Sequence, residues 1–313
     1  MDASIYQLAT QEAVCLPWDG YSWLRISGND RARFLHNLCT NDILKLQPGQ
    51  ACEAFFTNVQ GKTIGFGVLF CEPDCLTVLT DAGQAENLLP RLDRYLIRED
   101  VELQAVDGEM RQLLVVGAQC PNILQEFDVA DQDEPWSMLG ENIRFQLKLY
   151  RVGPFRVPSI LLHFPADMTD QVTQIASQSA VPLTDSSIVE VLRVENGFPR
   201  YGVDITETNL PQEVARDTTA ISFNKGCYLG QETVARIDAL GHVNKLLRRI
   251  ALKGEQPPTP GAKLTRLDET VGHVTSVCRS PQQGVIGLAY LRRGHDQPGT
   301  VLESSTGEAT VVG

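Results

Sequence analysis

Residues Gly254-Glu255-Gln256-Pro257-Pro258-Thr259-Pro260-Gly261 place three prolines and two glycines within eight positions. Neither a helix nor a central strand tolerates that density. Proline removes a backbone donor and locks φ, and glycine carries the largest entropic cost of ordering. The chain must therefore pass from one compact element to another here. Beyond this point it reads as short runs of strand character separated by turns, at 270–277, 283–291, 299–303 and 309–312, with 246–252 as a strand just before the break. A small all-β barrel is expected over 245–313.

The region 1–244 mixes strands and helices. Residues 22–27 alternate as a strand, and Gly28-Asn29-Asp30 turns into a helix carrying Phe34, Leu35 and Leu38. A hairpin is expected over 54–69, turning at Gly61, and a further strand over 75–80. Leu88, Leu89, Leu92 and Tyr95 recur at helical spacing over 82–95, with Thr80 or Asp81 as the cap. Strands follow near 101–103, 111–116, 143–150 and 159–164. Helices follow over 119–127, 167–179 and 187–195, the last with Ser187-x-x-Glu190 as a capping box and Gly197 as its stop. The order lacks a regular strand–helix–strand rhythm, and neither Gly-x-Gly-x-x-Gly nor a P-loop occurs, so the fold class is α+β rather than doubly wound.

Charge narrows the function. The net charge of −12 disfavours direct binding to nucleic acid, which relies on clustered Lys and Arg. No apolar run approaches the ~20 residues that span a bilayer, and the first residues have no signal-peptide core; a cytoplasmic location is expected. The eight cysteines and five histidines are scattered, with no Cys-x-x-Cys and no His-x-x-x-His pair, so no metal site is expected.

Two stretches carry chemistry. In Lys225-Gly226-Cys227-Tyr228-Leu229-Gly230-Gln231-Glu232 a cysteine precedes a helix-like run. A helix N-terminus and the Lys225 charge both favour a thiolate, which makes Cys227 a candidate reactive thiol with Lys225 beside it. A tight glycine turn around a buried cysteine fits the same residues. In Arg193-Val194-Glu195-Asn196-Gly197-Phe198-Pro199-Arg200-Tyr201 a helix ends in charge and enters a Gly/Pro loop. A glutamate there suits an amino-pyrimidine edge and an arginine suits a carboxylate. Taken alone, these residues fit an ordinary helix C-cap with a surface ion pair better than a ligand site.

Together, Arg193-Val194-Glu195-x-Gly197, Tyr201-Gly202-x-Asp204, Pro211-Gln212-Glu213 and Lys225-Gly226, with Phe34-Leu35-His36-Asn37-Leu38-Cys39-Thr40-Asn41-Asp42, resemble the glycine-cleavage T-protein, a tetrahydrofolate-dependent aminomethyltransferase. The full Lys225-Gly226-Cys227-Tyr228-x-Gly230-Gln231-Glu232 motif resembles one branch, the YgfZ family of folate-binding proteins that support iron–sulfur cluster assembly or repair and, through it, tRNA modification. The resemblance implies a T-protein-like fold of intertwined α+β subdomains with a C-terminal barrel. It also implies tetrahydrofolate as ligand, iron–sulfur proteins or assembly factors as partners, and Glu195, Tyr21, Arg193 and Tyr201 as folate contacts. In such chains a second aromatic faces the folate; that position falls at Val189 here. T-proteins carry Gly-Gly-x-x-Asp-Asp in the hairpin at 54–69, where this chain has Gln60-Gly61-Lys62-Thr63-Ile64-Gly65-Phe66. Their catalytic aspartate falls at Asn87 or Leu88, with Asp81 nearby in a different helical phase. The folate site is thus expected without the transferase carboxylates, and aminomethyl transfer is the alternative activity. Whether the chain turns over a substrate is left open; if it does, a tetrahydrofolate-dependent one-carbon transfer is the expected class.

Overall fold

A computed structural model of the chain describes residues 3–312 apart from Asp107, Glu109 and Asp133. Two sheets and a barrel make up the β structure. One six-stranded sheet has the spatial order Val181–Pro182, Val14–Pro17, Met110–Val116, Ser159–Pro165, Leu147–Arg151, Ser137–Asn142. A five-stranded sheet has the order Ala51–Thr57, Thr63–Cys71, Leu76–Asp81, Tyr21–Ser27, Glu102–Ala105. The chain leaves the first sheet after Pro17, builds the whole second sheet, and rejoins the first at Met110. This intertwining explains why the sequence order shows no repeating unit. The pairings are antiparallel except at the edge, where Val14 lies parallel to Val181.

The C-terminal strands close into a six-stranded barrel, Lys245–Leu252, Gly284–Arg292, Glu269–Ser280, Lys263–Arg266, Val301–Ser304 and Gly307–Val312. Ile250, Leu264, Val274 and Leu302 fill it. Closure removes the exposed strand edges that short antiparallel sheets otherwise present.

Helix Ser187–Asn196 lies where the three units meet. Ile188, Val191 and Leu192 pack into a core shared by Leu114 and Leu161 of one sheet and Trp23, Val68 and Leu79 of the other. The same helix contacts barrel strands Glu269–Ser280 and Gly284–Arg292. Gly197, left-handed at φ 71°, terminates it. The sheets are also joined at Glu72, whose buried carboxylate accepts from Thr77 Oγ1 at 2.8 Å, from Tyr150 OH at 2.9 Å and from the Lys148 ammonium. Trp23 stacks on His163 with ring centroids 4.6 Å apart, and burial pushes that imidazole down to about 3.

Local expectations change at several points. The strand expected near 143–150 is instead the end of strand Ser137–Asn142, a 3-10 turn at Ile143–Phe145 and strand Leu147–Arg151. Helix Gln84–Asp93 begins after Gly83 at φ 74°, so neither Thr80 nor Asp81 caps it; Asp81 ends the preceding strand, and the Thr80 hydroxyl donates to the Phe66 carbonyl. The Ser187-x-x-Glu190 capping box does not form; Ser186 is the cap position, and Glu190 instead pairs with Arg193. A helix at Ala3–Gln11, absent from the sequence reading, places Tyr6 and Ala9 in the core.

One glycine in the cysteine motif is required by packing. Gly230 caps helix Gln231–Leu240 at φ 79°, and a Cβ there would lie 2.4 Å from the Asn58 carbonyl oxygen and 2.9 Å from Gly61 Cα. The hairpin tip and the motif loop thus touch backbone to backbone, aided by the Thr57 hydroxyl on the Leu229 carbonyl. Gly241 ends the same helix at φ 71° with open space around it. We expect Gly241→Ala to cost about 1 kcal/mol, the left-handed penalty alone. Gly230→Ala should cost at least about 2 kcal/mol, because strain and a backbone clash add. Urea denaturation of the two variants compares them directly.

Candidate functional site

A cavity of about 390 Å³ opens where the end of the second sheet, helix Ser187–Asn196 and the 198–200 loop converge. Trp18 and Tyr21 form an edge-to-face pair on one side, with centroids 5.5 Å apart. Gly20 allows this turn, since a Cβ there would lie 2.1 Å from the Trp18 ring. Phe155, Val189 and Phe198 supply further apolar wall. The charged groups are Asp19, Asp81, Glu190, Arg193 and Arg200. Asp81 accepts from the Tyr201 backbone N–H at 2.7 Å and lies 3.5 Å from Arg200 Nε. Burial still dominates and pushes its carboxyl up to about 6. Apolar walls with a few convergent polar groups suit a planar ligand with a hydrogen-bonding edge.

The four expected folate contacts separate. Tyr21 and Arg193 line this cavity; Glu195 and Tyr201 are not among its lining residues. Arg193 is nevertheless fully engaged. Its Nε–H donates to Glu190, its Nη1 to the Phe198 carbonyl and to Asp204 at 3.0 Å, and its Nη2 to Glu190 and to Ser276 Oγ at 2.8 Å. A guanidinium has five N–H donors, so none is left for a ligand. Glu195, 2% exposed, accepts from Tyr6 OH at 3.0 Å and from the Ser280 hydroxyl. Tyr201 is buried, with its hydroxyl 3.4 Å from the Thr63 carbonyl oxygen, and reaches the cavity only through its backbone N–H to Asp81.

Sequence reasoning missed Trp18, Glu190 and Arg200 as cavity residues. Trp18 adds a second aromatic ring to the cavity wall beside Tyr21, while the Val189 position carries none. The available signal was Trp18-Asp19-Gly20-Tyr21, two aromatics around a glycine turn just ahead of a strand. It pairs residues across the turn only once Gly20 is seen to let the indole fold back.

The motif loop occupies a different place. No described residue from 217 to 237 lines the cavity. Cys227 is exposed, and its loop rests on the end of helix Arg31–His36. Lys225 makes that seat: its ammonium donates to the carbonyls of His36, Cys39 and Asn41, the last two at 2.8 Å, and lies 4.9 Å over the Tyr228 ring. Burial lowers its pKa. Its charge is thus aimed at carbonyls that end a helix, a favourable position for a cation. Helix Gln231–Leu240 starts four positions after Cys227, with Gly230 as the cap. Gln231 fixes the turn by accepting from the Tyr228 N–H at 3.3 Å; Glu232 and Arg236 form no ion pair among the described residues.

Two sheets, a closing barrel and a junctional amphiphilic cavity define a three-part fold. Residues 10–148 match the GCVT N-terminal domain, and residues 245–312 match the glycine cleavage T-protein C-terminal barrel domain. The chain belongs to the glycine-cleavage T-protein superfamily. It is 26% identical to the tRNA-modifying protein YgfZ of Vibrio vulnificus over 85% of this chain and 78% of that protein. It is 28% identical to a mitochondrial iron–sulfur cluster assembly factor of Mus musculus over 89% of this chain and 77% of that protein. A candidate chloroplastic transferase of Arabidopsis thaliana is 26% identical over 86% of this chain, which spans only 63% of that relative's length. The glycine cleavage aminomethyltransferase T of Bartonella henselae shares the fold, with a TM-score of 0.88 at 16% identity, over 99% of this chain and 88% of that one.

Two outcomes follow from the geometry. Asp81 has a folded pKa above its unfolded value, so its contribution to stability is complete below about pH 4 and is lost as pH rises through about 6. The rise from 3.8 to about 6 corresponds to about 3 kcal/mol. The stability difference between the wild type and Asp81→Asn should therefore move against the wild type by that order between pH 4 and pH 7 in urea titrations. Separately, Lys225→Met strands three carbonyls and should cost about 3 kcal/mol, whereas Cys227→Ala, at an exposed position, should stay within about 0.5 kcal/mol of wild type. Equal costs for the two would contradict the seating role of Lys225.

Proposed function

We propose that the chain binds a reduced folate in the central cavity and supports the assembly or repair of iron–sulfur clusters, and through them tRNA modification. The observation that carries the folate part is the cavity itself: an aromatic pair, Trp18 and Tyr21, beside the convergent carboxylates Asp81 and Glu190. A pterin presents a flat face and an amino-pyrimidine edge, and these groups suit both. The relatives named as a tRNA-modifying protein and as an iron–sulfur cluster assembly factor support the cluster part.

In this reading Tyr21 stacks on the folate, and Trp18 buttresses Tyr21 edge-to-face from the same side. Glu195 accepts from the pterin edge after Tyr6 yields its hydrogen bond. Arg193 and Tyr201 are positioning residues: the first orients Glu190, and the second holds Asp81 through its backbone N–H. Cys227 is the reactive thiol, presented on the loop that Lys225 seats, and it faces an iron–sulfur partner rather than the folate. Among the described residues no helix is long and apolar enough to cross a membrane, and we place the protein in the cytoplasm.

Calorimetry with tetrahydrofolate tests the first half. The wild type should bind, Tyr21→Ala should weaken binding at least tenfold, roughly the 1–3 kcal/mol of one stacked ring, and Glu195→Gln should weaken it further than Tyr6→Phe. Absence of wild-type binding removes the folate reading. For the second half, a host lacking its own YgfZ protein should regain iron–sulfur enzyme activity with the wild type and not with Cys227→Ala.

One observation favours a second reading. Asn87 is exposed, bonding only the Gly83 carbonyl, and Leu88 is core, so neither supplies a carboxylate. Asp81, however, brings one into the cavity from the strand end with a raised pKa, as general acid–base work requires. Aminomethyl transfer would then run through Asp81. Methylenetetrahydrofolate formation from an aminomethylated carrier protein, abolished in Asp81→Asn, would establish it; no product with the wild type rejects it.

A further inference from the structure

A second cavity, of about 430 Å³, lies behind the wall of the first. Arg156 follows Phe155 in the chain, Gly197 precedes Phe198, and the Arg216 guanidinium lies 4.9 Å over the Phe198 ring. Four arginines line it, Arg156, Arg216, Arg248 and Arg249, and no carboxylate is among the described residues that do. In a chain with 39 acidic and 27 basic residues, such a concentration of one sign is not the background of the surface.

The arginines are held in place from behind. Glu53 grips Arg216 through both of its oxygens. Arg248 donates from Nε to the Asp296 carbonyl at 3.1 Å and lies 3.4 Å from its carboxylate. Arg249 donates to the backbone carbonyl of Glu195 at the end of helix Ser187–Asn196. Gly197 makes room for that reach, since a Cβ there would lie 3.0 Å from Arg249 Cδ. Arg156 is exposed and has no hydrogen-bond or ion-pair partner among the described residues. Arg156 and Arg249 line the same cavity; burial and the like charge of Arg156 lower the pKa of Arg249, against the Glu195 carboxylate, which raises it.

We infer that this cavity is a second ligand site, which takes a compact oxyanion, phosphate or paired carboxylate, joined to a small apolar body. Planar guanidinium forks suit such groups bidentately. Leu247, Leu288 and Val214 give the cavity an apolar floor, against which the rest of the ligand packs. An oxyanion between Arg156 and Arg249 turns their mutual repulsion into paired attraction. Arg156 does not line the central cavity, so substituting it tests this site separately from the first.

Isothermal titration of the full chain with pyrophosphate, and separately with citrate, tests this at low salt. At least one should bind, and its affinity should fall as salt is raised from about 50 to 200 mM, as screening of exposed charge requires. Arg156→Glu should weaken binding at least tenfold and Arg156→Gln by less. Arg156 is exposed, so both variants should fold, and matching circular dichroism spectra verify this. Tighter binding of pyrophosphate assigns the ligand to phosphates, and tighter binding of citrate assigns it to polycarboxylates. No binding of either probe, or an affinity that Arg156→Glu leaves unchanged, overturns the proposal.

Discussion

The buried ion pair between Arg193 and Asp204 is the interaction on which the rest of the junction depends. Asp204 is 1% exposed and accepts from Arg193 at 3.0 Å, from the Arg200 N–H at 3.0 Å, from Ser276 Oγ at 2.7 Å and from the Thr275 hydroxyl. Taking both charges out of water carries a desolvation penalty of several kcal/mol per ion, which only complete hydrogen bonding offsets. Here every donor of the guanidinium is used, and burial is outweighed by its anionic partners, which hold its pKa above the usual value. The node therefore binds helix Ser187–Asn196, the 198–204 loop and barrel strand Glu269–Ser280 into one unit. Val189, Glu190, Phe198 and Arg200, which line the central cavity, all sit on two of those three elements.

That arrangement separates recognition from reactivity. The cavity is framed by elements the Arg193 node fixes. The Cys227 loop is framed by a different anchor, the Lys225 ammonium on three carbonyls at the end of helix Arg31–His36, with Gly230 against the hairpin tip. Both anchors use a buried cation: Lys225 is satisfied by carbonyls distant in sequence, and Arg193 by Glu190, Phe198 and Asp204 nearby and by Ser276 far along the chain. Such anchors resist local motion, because releasing one bond strands a charge in a low-dielectric setting. The arginines of the second cavity show another arrangement, in which Arg216 and Arg248 are held from behind by the carboxylates of Glu53 and Asp296.

Much of the architecture was legible. Apolar runs bounded by turn residues announced most strands, although strands such as Ser159–Pro165 and Gly284–Arg292 are buried on both faces and do not alternate. The Pro/Gly break reads as a boundary between compact elements, yet it lies inside the barrel, between strands Lys245–Leu252 and Lys263–Arg266. The T-protein-like pattern from Arg193 to Glu232 located the family. Other features were not legible, for identifiable reasons. Helix Ala3–Gln11 is short and only weakly amphipathic, and its packing on Glu195 comes from tertiary contact. Asp81 reads as a helix cap by spacing, yet Gly83 begins the helix and turns the carboxylate inward. Lys225 reads as a partner for the neighbouring thiol, yet its long stem delivers the charge to carbonyls 184 to 189 positions away.

What the sequence by itself determined is the set of local choices: where strands and helices form, where glycine permits a left-handed turn, and which superfamily supplies the fold. These rest on propensity, periodicity and backbone sterics, all of which act within a few residues. Tertiary structure alone decided which charges meet. It paired Arg193 with Asp204 and Ser276, covered Glu195 with Tyr6 and Ser280, brought Trp18 to Tyr21 across Gly20, and gathered four arginines around one cavity. Electrostatic and hydrogen-bond partners are set by distance in space, and in a fold whose two sheets are intertwined, distance along the chain says little about it.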